Sequence, residues 1–159
     1  MSDELIHDRT FRRAVRSDLP AIVALLNDDH LGKQRERLEV PLPASYEDAF
    51  TSIDANPDQY LLAAVRSGIV VGYLQLSFLR GLGRQGALHA RINDVRVVRS
   101  LRSRGLGRQM LEHAIDLARQ RGCRLIELTT HKSRTEAHRF YERLGFVAGH
   151  EGMTMSVVP

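Results

Sequence analysis

The stretch Arg102–Thr130, RSRGLGRQMLEHAIDLARQRGCRLIELTT, begins in a glycine-containing loop and ends in a run of aliphatic and β-branched residues. Apolar side chains recur at helical spacing over residues 106–118, which predicts an amphipathic helix, and Gly122 is placed to end it. A predicted strand at Leu88–Val98 comes before the loop, and another at Leu125–Thr130 follows the helix. A strand, a helix and a strand in this order predict a right-handed crossover between two parallel strands.

The remaining elements predict strands that run antiparallel to one another. Before the crossover, the patterns predict strands at Phe11–Val15, Tyr60–Val65 and Ile69–Phe78, a helix capped by Ser17, a loop or broken helix over residues 28–45 and a helix at Tyr46–Ala55. After it, they predict a helix that starts in a Ser133–Glu136 capping box and stops at Gly145, and closing strands at Phe146–Val147 and Met153–Val158. Strands joined by short turns form antiparallel meanders. The expected fold is therefore α/β, with a mixed, mostly antiparallel central sheet, helices on both faces and one parallel crossover at residues 88–130.

Length and composition limit the class of protein. A chain of 159 residues is the size of one domain, so we expect a single domain over residues 1–159. The apolar fraction of 43% and the charged fraction of 26% are typical of globular proteins, and no apolar run reaches the ~18 residues of a membrane span. The polar N-terminal residues do not resemble a signal peptide. A single cysteine, Cys123, excludes an intrachain disulfide, so we expect a cytoplasmic protein. We expect the Cys123 thiol to have a structural role.

The charge is unevenly distributed along the chain. Residues 1–79 carry 8 Lys and Arg against 12 Asp and Glu, whereas residues 80–143 carry 15 against 6, a net charge of +9. The later region therefore favours a polyanionic ligand and the earlier region a cation, unless both are simply solvated surfaces. The arginines are spread over predicted strands, loops and helices without a recognised nucleic-acid module, so we do not expect nucleic acid as the partner.

The hexapeptide RGLGRQ occurs twice, at residues 80–85 and at residues 104–109. The first copy continues to Gly86 and completes a G-x-G-x-x-G string, but predicted strands flank it, so we expect a hairpin connection and no nucleotide-binding loop. The second copy follows a strand and opens a helix. Amides in the first turn of a helix bind anions, and Gly105 and Gly107 allow a ligand to approach the backbone. The second copy therefore predicts a pyrophosphate-binding cradle.

Two motifs at this spacing resemble one protein family. Arg102-x-x-Gly105-x-Gly107 matches the R/Q-x-x-G-x-G/A signature of the GNAT superfamily of acyl-CoA-dependent N-acyltransferases. LIELTTHKSRTEAHRFYERLGF at residues 125–146 is similar to the family's next strand and helix, with the FYE-x-x-GF segment, and the tail HEGMTMSV resembles a bacterial small-molecule subgroup. The likeness covers residues 10–158 and agrees with the strand order predicted above.

The resemblance implies transfer of an acetyl group from acetyl-CoA to the primary amine of a small molecule, by direct attack in a ternary complex. A strand amide near Val97 would stabilise the developing oxyanion, and Tyr141, in the FYE segment, would donate a proton to the departing thiolate. Arg134 stands where many family members have asparagine near CoA. The implied CoA-binding residues are Val95, Val97, Arg102, Arg104, Gly105, Leu106, Gly107, Arg108, Thr129 and Arg134. No metal site is expected.

The general base is open at the level of the sequence. Related proteins often carry glutamate at the place of Asn93, and an asparagine cannot take the proton. Asp94 is adjacent, but on a regular strand its side chain faces the other side of the sheet unless a bulge re-aims it. His89 lies on the same strand and has a suitable ordinary pKa, although a lone strand histidine is more often a surface or packed residue.

The acceptor site in this family is built largely by the first two helices and their loop. That stretch contains Asp28, Asp29, Glu36 and Glu39, which we expect to attract a cationic amine. Two other functions stay open: acetylation of a protein N-terminus or lysine, and acyl-CoA binding by a regulator without turnover. Dimers are common in the family, so the resemblance also favours a homodimer.

Overall fold

Five strands form one sheet in the order β1-β2-β3-β4-β5. The computed structural model describes residues 9–158, so the N-terminal residues on which the signal-peptide argument rests lie outside the described residues. Neighbouring strands from β1 to β4 pair antiparallel, whereas β4 and β5 pair parallel. The strands are β1 (Arg9–Arg13), β2 (Gln59–Arg66), β3 (Ile69–Arg80), β4 (Leu88–Val97) and β5 (Leu125–Leu128). The predicted mixed sheet with one parallel crossover is confirmed.

Helices cover both faces of the sheet. They are α1 (Leu19–Leu26), α2 (Gly32–Arg35), α3 (Ala44–Asp54), the single turn α4 (Gly83–Gly86), α5 (Leu106–Gln120) and α6 (Thr135–Arg143). Alternate residues of β2 face opposite layers. Leu61 and Ala63 pack with α1 and α3, whereas Leu62 and Ala64 pack with α5. The loop or broken helix predicted over residues 28–45 contains the short α2, and α3 begins two residues before the predicted helix, at Ala44.

The contact between α5 and β3 depends on a glycine. A Cβ at Gly72 would lie 2.5 Å from the Met110 sulfur and 3.3 Å from the Ala64 Cβ. Met110 is fully buried in this layer of the core. A larger residue at position 72 would therefore push α5, and with it the second RGLGRQ copy, away from the sheet.

The first RGLGRQ copy lies in the connection between β3 and β4, as predicted. The turn α4 is not regular helix, since Arg84 and Gln85 have φ values of 54° and 61°, and β4 begins at Leu88. No long helix follows this copy, so it lacks the row of free amides that an anion site requires.

Two local predictions near the C-terminus are wrong. Ser133 does not cap α6, because its hydroxyl contacts the His131 ring at 2.7 Å and the helix begins at Thr135. The structure also has no strand at Phe146–Val147 or Met153–Val158. Strand propensity needs a neighbouring strand to pair with, and this segment pairs with none among the described residues. The predicted cap at Ser17 is also wrong, because Ser17 lies within a short 3-10 turn and the N-cap of α1 is Asp18.

Candidate active site

β4 and β5 separate halfway along β4 and leave a cleft. Their parallel pairing runs from His89 opposite Leu125 to Ile92 opposite Leu128 and stops there, while β4 continues to Val97. Backbone groups of β4 beyond Ile92 therefore have no partner strand on this side. A cleft of about 430 Å³ lies here, and its walls are Asp29, Val95, Arg96, Val97, Arg102, Ser133, Arg134, Thr135, Glu136 and Ala137.

A bulge in β4 lies at the mouth of this cleft. The register with β3 runs from Arg96 opposite Tyr73 to Asn93 opposite Gln75, so Asp94 and Val95 together face Leu74. Asp94 takes a left-handed φ of 56°. The extra residue shifts the alternation of the strand, since Ile92 and Val95 both pack in the α5 layer. Asp94 is therefore exposed at the bulge and does not point into the α5 layer.

The start of α5 has the features of an anion cradle. Gly105 is its N-cap with a φ of 81°, and a Cβ built there would meet no atom within 4 Å. The Gln109 amide bonds to the Gly105 carbonyl at 3.1 Å, whereas the first-turn amides before it have no acceptor inside the helix. Arg104 and Arg108 are exposed beside them. Open space, free amides and two cations fit a pyrophosphate group.

Three other residues predicted to bind CoA in this loop, Leu106, Gly107 and Arg102, are packed or hydrogen-bonded within the protein. Leu106 is fully buried, so only its backbone can face a ligand. A Cβ at Gly107 would lie 3.5 Å from the Phe140 ring and 3.8 Å from Val97, so this glycine brings α5 close to α6 and β4. Arg102 is held by two acceptors, the Val97 carbonyl at 3.0 Å and an Asp28 oxygen at 2.8 Å.

Tyr141 lies on α6 beside the cleft. Its ring packs against Phe140 and Phe146, with centroid distances of 5.3 and 5.9 Å. Burial raises the pKa of Tyr141, and the positive charges of Arg96 and Arg134 lower it by less. The phenol therefore keeps its proton at neutral pH and lies within electrostatic reach of two arginines that line the cleft.

Two of the carboxylates expected to attract a cation are already neutralised. Asp28 pairs with Arg99 at 3.3 Å and with Arg102 at 2.8 Å. Asp29 accepts a bond from Arg134 at 2.5 Å and another from the Gly32 amide at 2.6 Å. Burial alone would raise the pKa of Asp29. The two hydrogen bonds and the positive charges of Arg96 and Arg134 lower it by more, so its pKa lies below the ordinary value. This corrects the expectation that the loop is a free acidic surface.

Glu36 lies in a different group of polar residues, next to the bulge. It accepts a hydrogen bond from the Tyr46 hydroxyl at 2.7 Å. Tyr73 is buried, and burial raises its pKa strongly. The charges of Asp94 and Glu36 raise this pKa further while Arg96 lowers it, so all three groups act on the Tyr73 hydroxyl. The buried Tyr73 phenol therefore lies within the electrostatic reach of both Asp94 and Glu36.

Other sequence candidates lie further from this group. His89 is four residues before Asn93 on β4, a separation of about 13 Å along a strand, and its buried Nε2 has no hydrogen-bond partner among residues 9–158. Asn93 is half-buried opposite Gln75. Thr129 follows the last residue of β5, where the two strands diverge.

Sequence reasoning missed Tyr46, Tyr73 and Arg96. Tyr73 has the strand alternation of an ordinary core residue, and Tyr46 lies on a helix far away in sequence. Arg96 gave no signal either, because a charged residue between Val95 and Val97 is the ordinary alternation of a strand with one exposed face.

Within residues 9–158 no helix is both long and apolar enough to cross a membrane.

Known proteins share this architecture. The profile of the acetyltransferase (GNAT) family matches residues 19–146. An aminoalkylphosphonate N-acetyltransferase of Salmonella typhimurium is 32% identical over 113 residues, which make up 71% of this chain and 73% of the relative. A solved structure described as a transcriptional regulator from Bacillus halodurans C-125 has a TM-score of 0.91 and 45% identity, covering 93% of this chain and 99% of that one. A candidate acetyltransferase from Agrobacterium tumefaciens str. C58 has a TM-score of 0.81 and 26% identity, covering 92% and 99%. The chain therefore belongs to the GNAT family of acetyltransferases.

Proposed function

We propose that this protein transfers an acetyl group from acetyl-CoA to the primary amine of a small molecule within a ternary complex. The observation that carries the proposal is the separation of β4 from β5 beyond Ile92. This separation leaves strand backbone free for an extended ligand arm, and the cleft there adjoins Tyr141. Family membership supports acetyl-CoA as the donor.

The residues at the start of α5 suit the phosphates of the donor. First-turn amides at Leu106, Gly107 and Arg108 supply oriented donors, and Arg104 and Arg108 supply positive charge. The backbone of β4 near Val95 and Val97 suits the amide-bearing arm of CoA, because an extended ligand can pair with an unpartnered strand edge.

The chemistry needs one proton acceptor and one proton donor. The amine nitrogen forms a bond to the acetyl carbonyl carbon while the carbon–sulfur bond breaks, so the nitrogen loses a proton and the sulfur gains one. Tyr141 is the proton donor, since its raised pKa keeps it protonated. Asp94 is the proton acceptor that we favour, because it is exposed at the bulge and directly precedes Val95 and Arg96, which line the cleft.

Two relatives point to different uses of this site. The Salmonella relative is named for a small acceptor that carries both an amine and a phosphonate, which supports a small-molecule substrate here. The Bacillus halodurans structure is described as a transcriptional regulator, and Asn93 stands where glutamate is common in the family. A regulator that binds acyl-CoA without turnover is therefore the second candidate function.

Acetyl-CoA turnover against a panel of amines separates these two functions. The purified protein is mixed with acetyl-CoA and each amine, free CoA thiol is followed with a chromogenic thiol reagent, and the acetylated product is identified by mass spectrometry. We expect at least one small amine to give thiol and product in equal amounts. Tight CoA binding without product from any amine would support the regulator instead.

We also propose that the protein is a cytoplasmic homodimer. One half-buried cysteine suits a reducing compartment. The C-terminal segment 147–158 is exposed throughout, and its alternating Met153, Met155 and Val157 are 95%, 83% and 86% exposed. β5 is an edge strand among residues 9–158. An apolar strand-like segment and an open sheet edge are complementary, so the segment suits the β5 edge of a second copy.

A further inference from the structure

Arg96 is a largely buried cation in an unusual position. The β4 bulge turns its side chain away from the α5 layer and towards Tyr73, its partner across the β3–β4 pair. The side chain is only 16% exposed. One terminal nitrogen donates to the Val95 carbonyl at 3.1 Å, but the buried Nε has no partner among residues 9–158. A buried guanidinium needs a counter-charge and acceptors for its donors.

The carboxylate near Arg96 is shared with a second arginine. Arg96 lies 3.9 Å from an oxygen of Asp29, beyond hydrogen-bond distance, and Arg134 contacts that same oxygen at 2.5 Å. Asp28, the next carboxylate on the loop, is occupied by Arg99 and Arg102. Arg96, Arg134 and Asp29 therefore form a group with an excess positive charge, and all three line the cleft.

This excess charge lies next to the reacting groups. Arg96 and Arg134 both lower the pKa of Tyr141, and Arg96 also acts on Tyr73 together with Asp94 and Glu36. The Arg96 guanidinium therefore acts electrostatically both on the proposed proton donor for the leaving thiolate and on the buried Tyr73 phenol. In CoA the long pantetheine arm separates the sulfur from the phosphates, so a cation near the sulfur is poorly placed to bind them.

We propose that Arg96, with Arg134 beside it, binds an oxyanion on the amine acceptor, such as a phosphonate or a carboxylate. The inference rests on the proposed acetyl transfer and adds to it the chemical class of the substrate. A guanidinium with a free Nε and a terminal nitrogen can hold such a group with two parallel hydrogen bonds. The anion also supplies an acceptor for the unpaired Arg96 Nε and offsets the excess positive charge of the group formed by Arg96, Arg134 and Asp29.

The test compares acceptors that differ only in the anionic group. Aminoethylphosphonate and beta-alanine carry an amine and an anion, whereas ethanolamine carries an amine and a neutral hydroxyl. For the wild-type protein we expect kcat/KM to be at least about 10-fold higher for one of the anionic amines. Arg96→Gln should lose about 10- to 100-fold on that amine and less than about 3-fold on ethanolamine, while Arg96→Lys should fall between.

The matched control is Arg91→Gln, on the same strand. Arg91 is exposed and pairs with Glu127 away from the cleft, so its loss should leave the ratio between acceptors unchanged. Calorimetric titration with acetyl-CoA should give the same Kd for wild type and Arg96→Gln. A weaker CoA Kd in that variant, or equal losses on neutral and anionic amines, would overturn the proposal.

A binding measurement keeps the two proposals separable. Aminoethylphosphonate is titrated into the CoA-bound protein, where it should bind to wild type and at least about 10-fold more weakly to Arg96→Gln. If no amine is acetylated but this difference is observed, acetyl transfer fails and the oxyanion site stands. If amines are acetylated but wild type neither binds nor prefers the anionic acceptors, the oxyanion site fails and acetyl transfer stands.

Discussion

Tyr141 and Asp94 are the two proton-transferring groups of the proposed reaction. The pKa of Tyr141 is raised by burial despite two nearby cations. The position of Asp94 results from a single left-handed residue in β4. At the scale of the residue, the proposed function depends on the half-buried phenol of Tyr141 and on one extra residue in β4.

Tyr141→Phe removes only the hydroxyl and keeps the ring contacts with Phe140 and Phe146. We expect kcat to fall roughly 10²- to 10⁴-fold, which is the usual contribution of general acid catalysis, with an acetyl-CoA Kd within about 3-fold of wild type. Single-turnover kinetics together with calorimetric titration provide the measurement. An unchanged rate when chemistry is rate-limiting would exclude Tyr141 as the acid.

Asp94→Asn should lower kcat more than His89→Ala does. Asp94 directly precedes Val95 and Arg96, which line the cleft, whereas His89 lies about 16 Å before Asp94 on β4. We expect a loss of at least about 10-fold for Asp94→Asn that additional acceptor does not restore, and near wild-type activity for His89→Ala. Steady-state rates at saturating acceptor across neutral and alkaline pH provide the comparison. The reverse order of effects would place the base at the other end of the strand.

At the scale of the element, short segments hold α5 and α1 in position. Gly105 allows the chain to turn into α5 in a left-handed conformation while leaving open space in front of the helix. Asp18 connects the end of β1 to the start of α1, accepting bonds from Arg12 at 2.6 and 3.0 Å and from the Val15 amide at 2.8 Å. We propose that the first segment binds the ligand, whereas the second stabilises the fold.

Gly105→Val should weaken acetyl-CoA binding, and Gly81→Val in the first hexapeptide copy should not. Valine is strained at a φ of 81° and fills the space where the pyrophosphate would lie. We expect the Kd to rise at least ~10-fold, about 1.4 kcal/mol. Gly81 has neither a left-handed φ nor a neighbour within 4 Å of a built Cβ. Calorimetric titration of both folded variants with acetyl-CoA measures the two Kd values. Equal losses of affinity would mean that the first copy also contacts CoA.

Asp18 should make stability depend on acidic pH. The Arg12 bonds lower the pKa of Asp18, burial opposes them and the Val15 amide adds to them, so the folded pKa lies below the unfolded value of about 3.9. The stabilisation is therefore complete above the unfolded pKa and is lost as the pH falls through the folded pKa.

We expect Asp18→Asn to cost about 1 to 3 kcal/mol at neutral pH, with the difference from wild type shrinking at strongly acidic pH. Urea unfolding at several pH values measures it. The control is Asp54→Asn, whose exposed pair with Arg13 should contribute less than about 1 kcal/mol. A difference that stays constant with pH would contradict the assignment.

At the scale of the whole molecule, the β5 end of the sheet is an open edge. β5 is short and has no strand beyond it among the described residues. The C-terminal segment exposes apolar side chains on alternate residues, which is the pattern of a strand that packs on one side. Pairing between two copies would cover both features.

Met155→Lys should therefore weaken the homodimer, whereas Ser156→Lys on the other side of the segment should affect it much less. Sedimentation velocity over a range of protein concentrations provides the measurement. We expect a dimer for wild type and Ser156→Lys, and a shift towards monomer for Met155→Lys. A wild-type protein that stays monomeric at all concentrations would contradict the dimer.

The sequence alone predicted the order of the main strands and helices as far as α6, the crossover at residues 88–130 and the different surroundings of the two RGLGRQ copies. These features follow from hydrophobic periodicity and from the positions of glycines, both of which depend on residues that are close together in the sequence. The tertiary structure decided three other features: the bulge that re-aims Asp94, the pairing of the acidic loop with arginines, and the missing closing strands. Each depends on residues that are distant in sequence, such as Asp29 and Arg134, which are 105 positions apart. Local pattern contains no information about such contacts, because whether a charge stays free or a strand forms depends on what the folded chain places beside it.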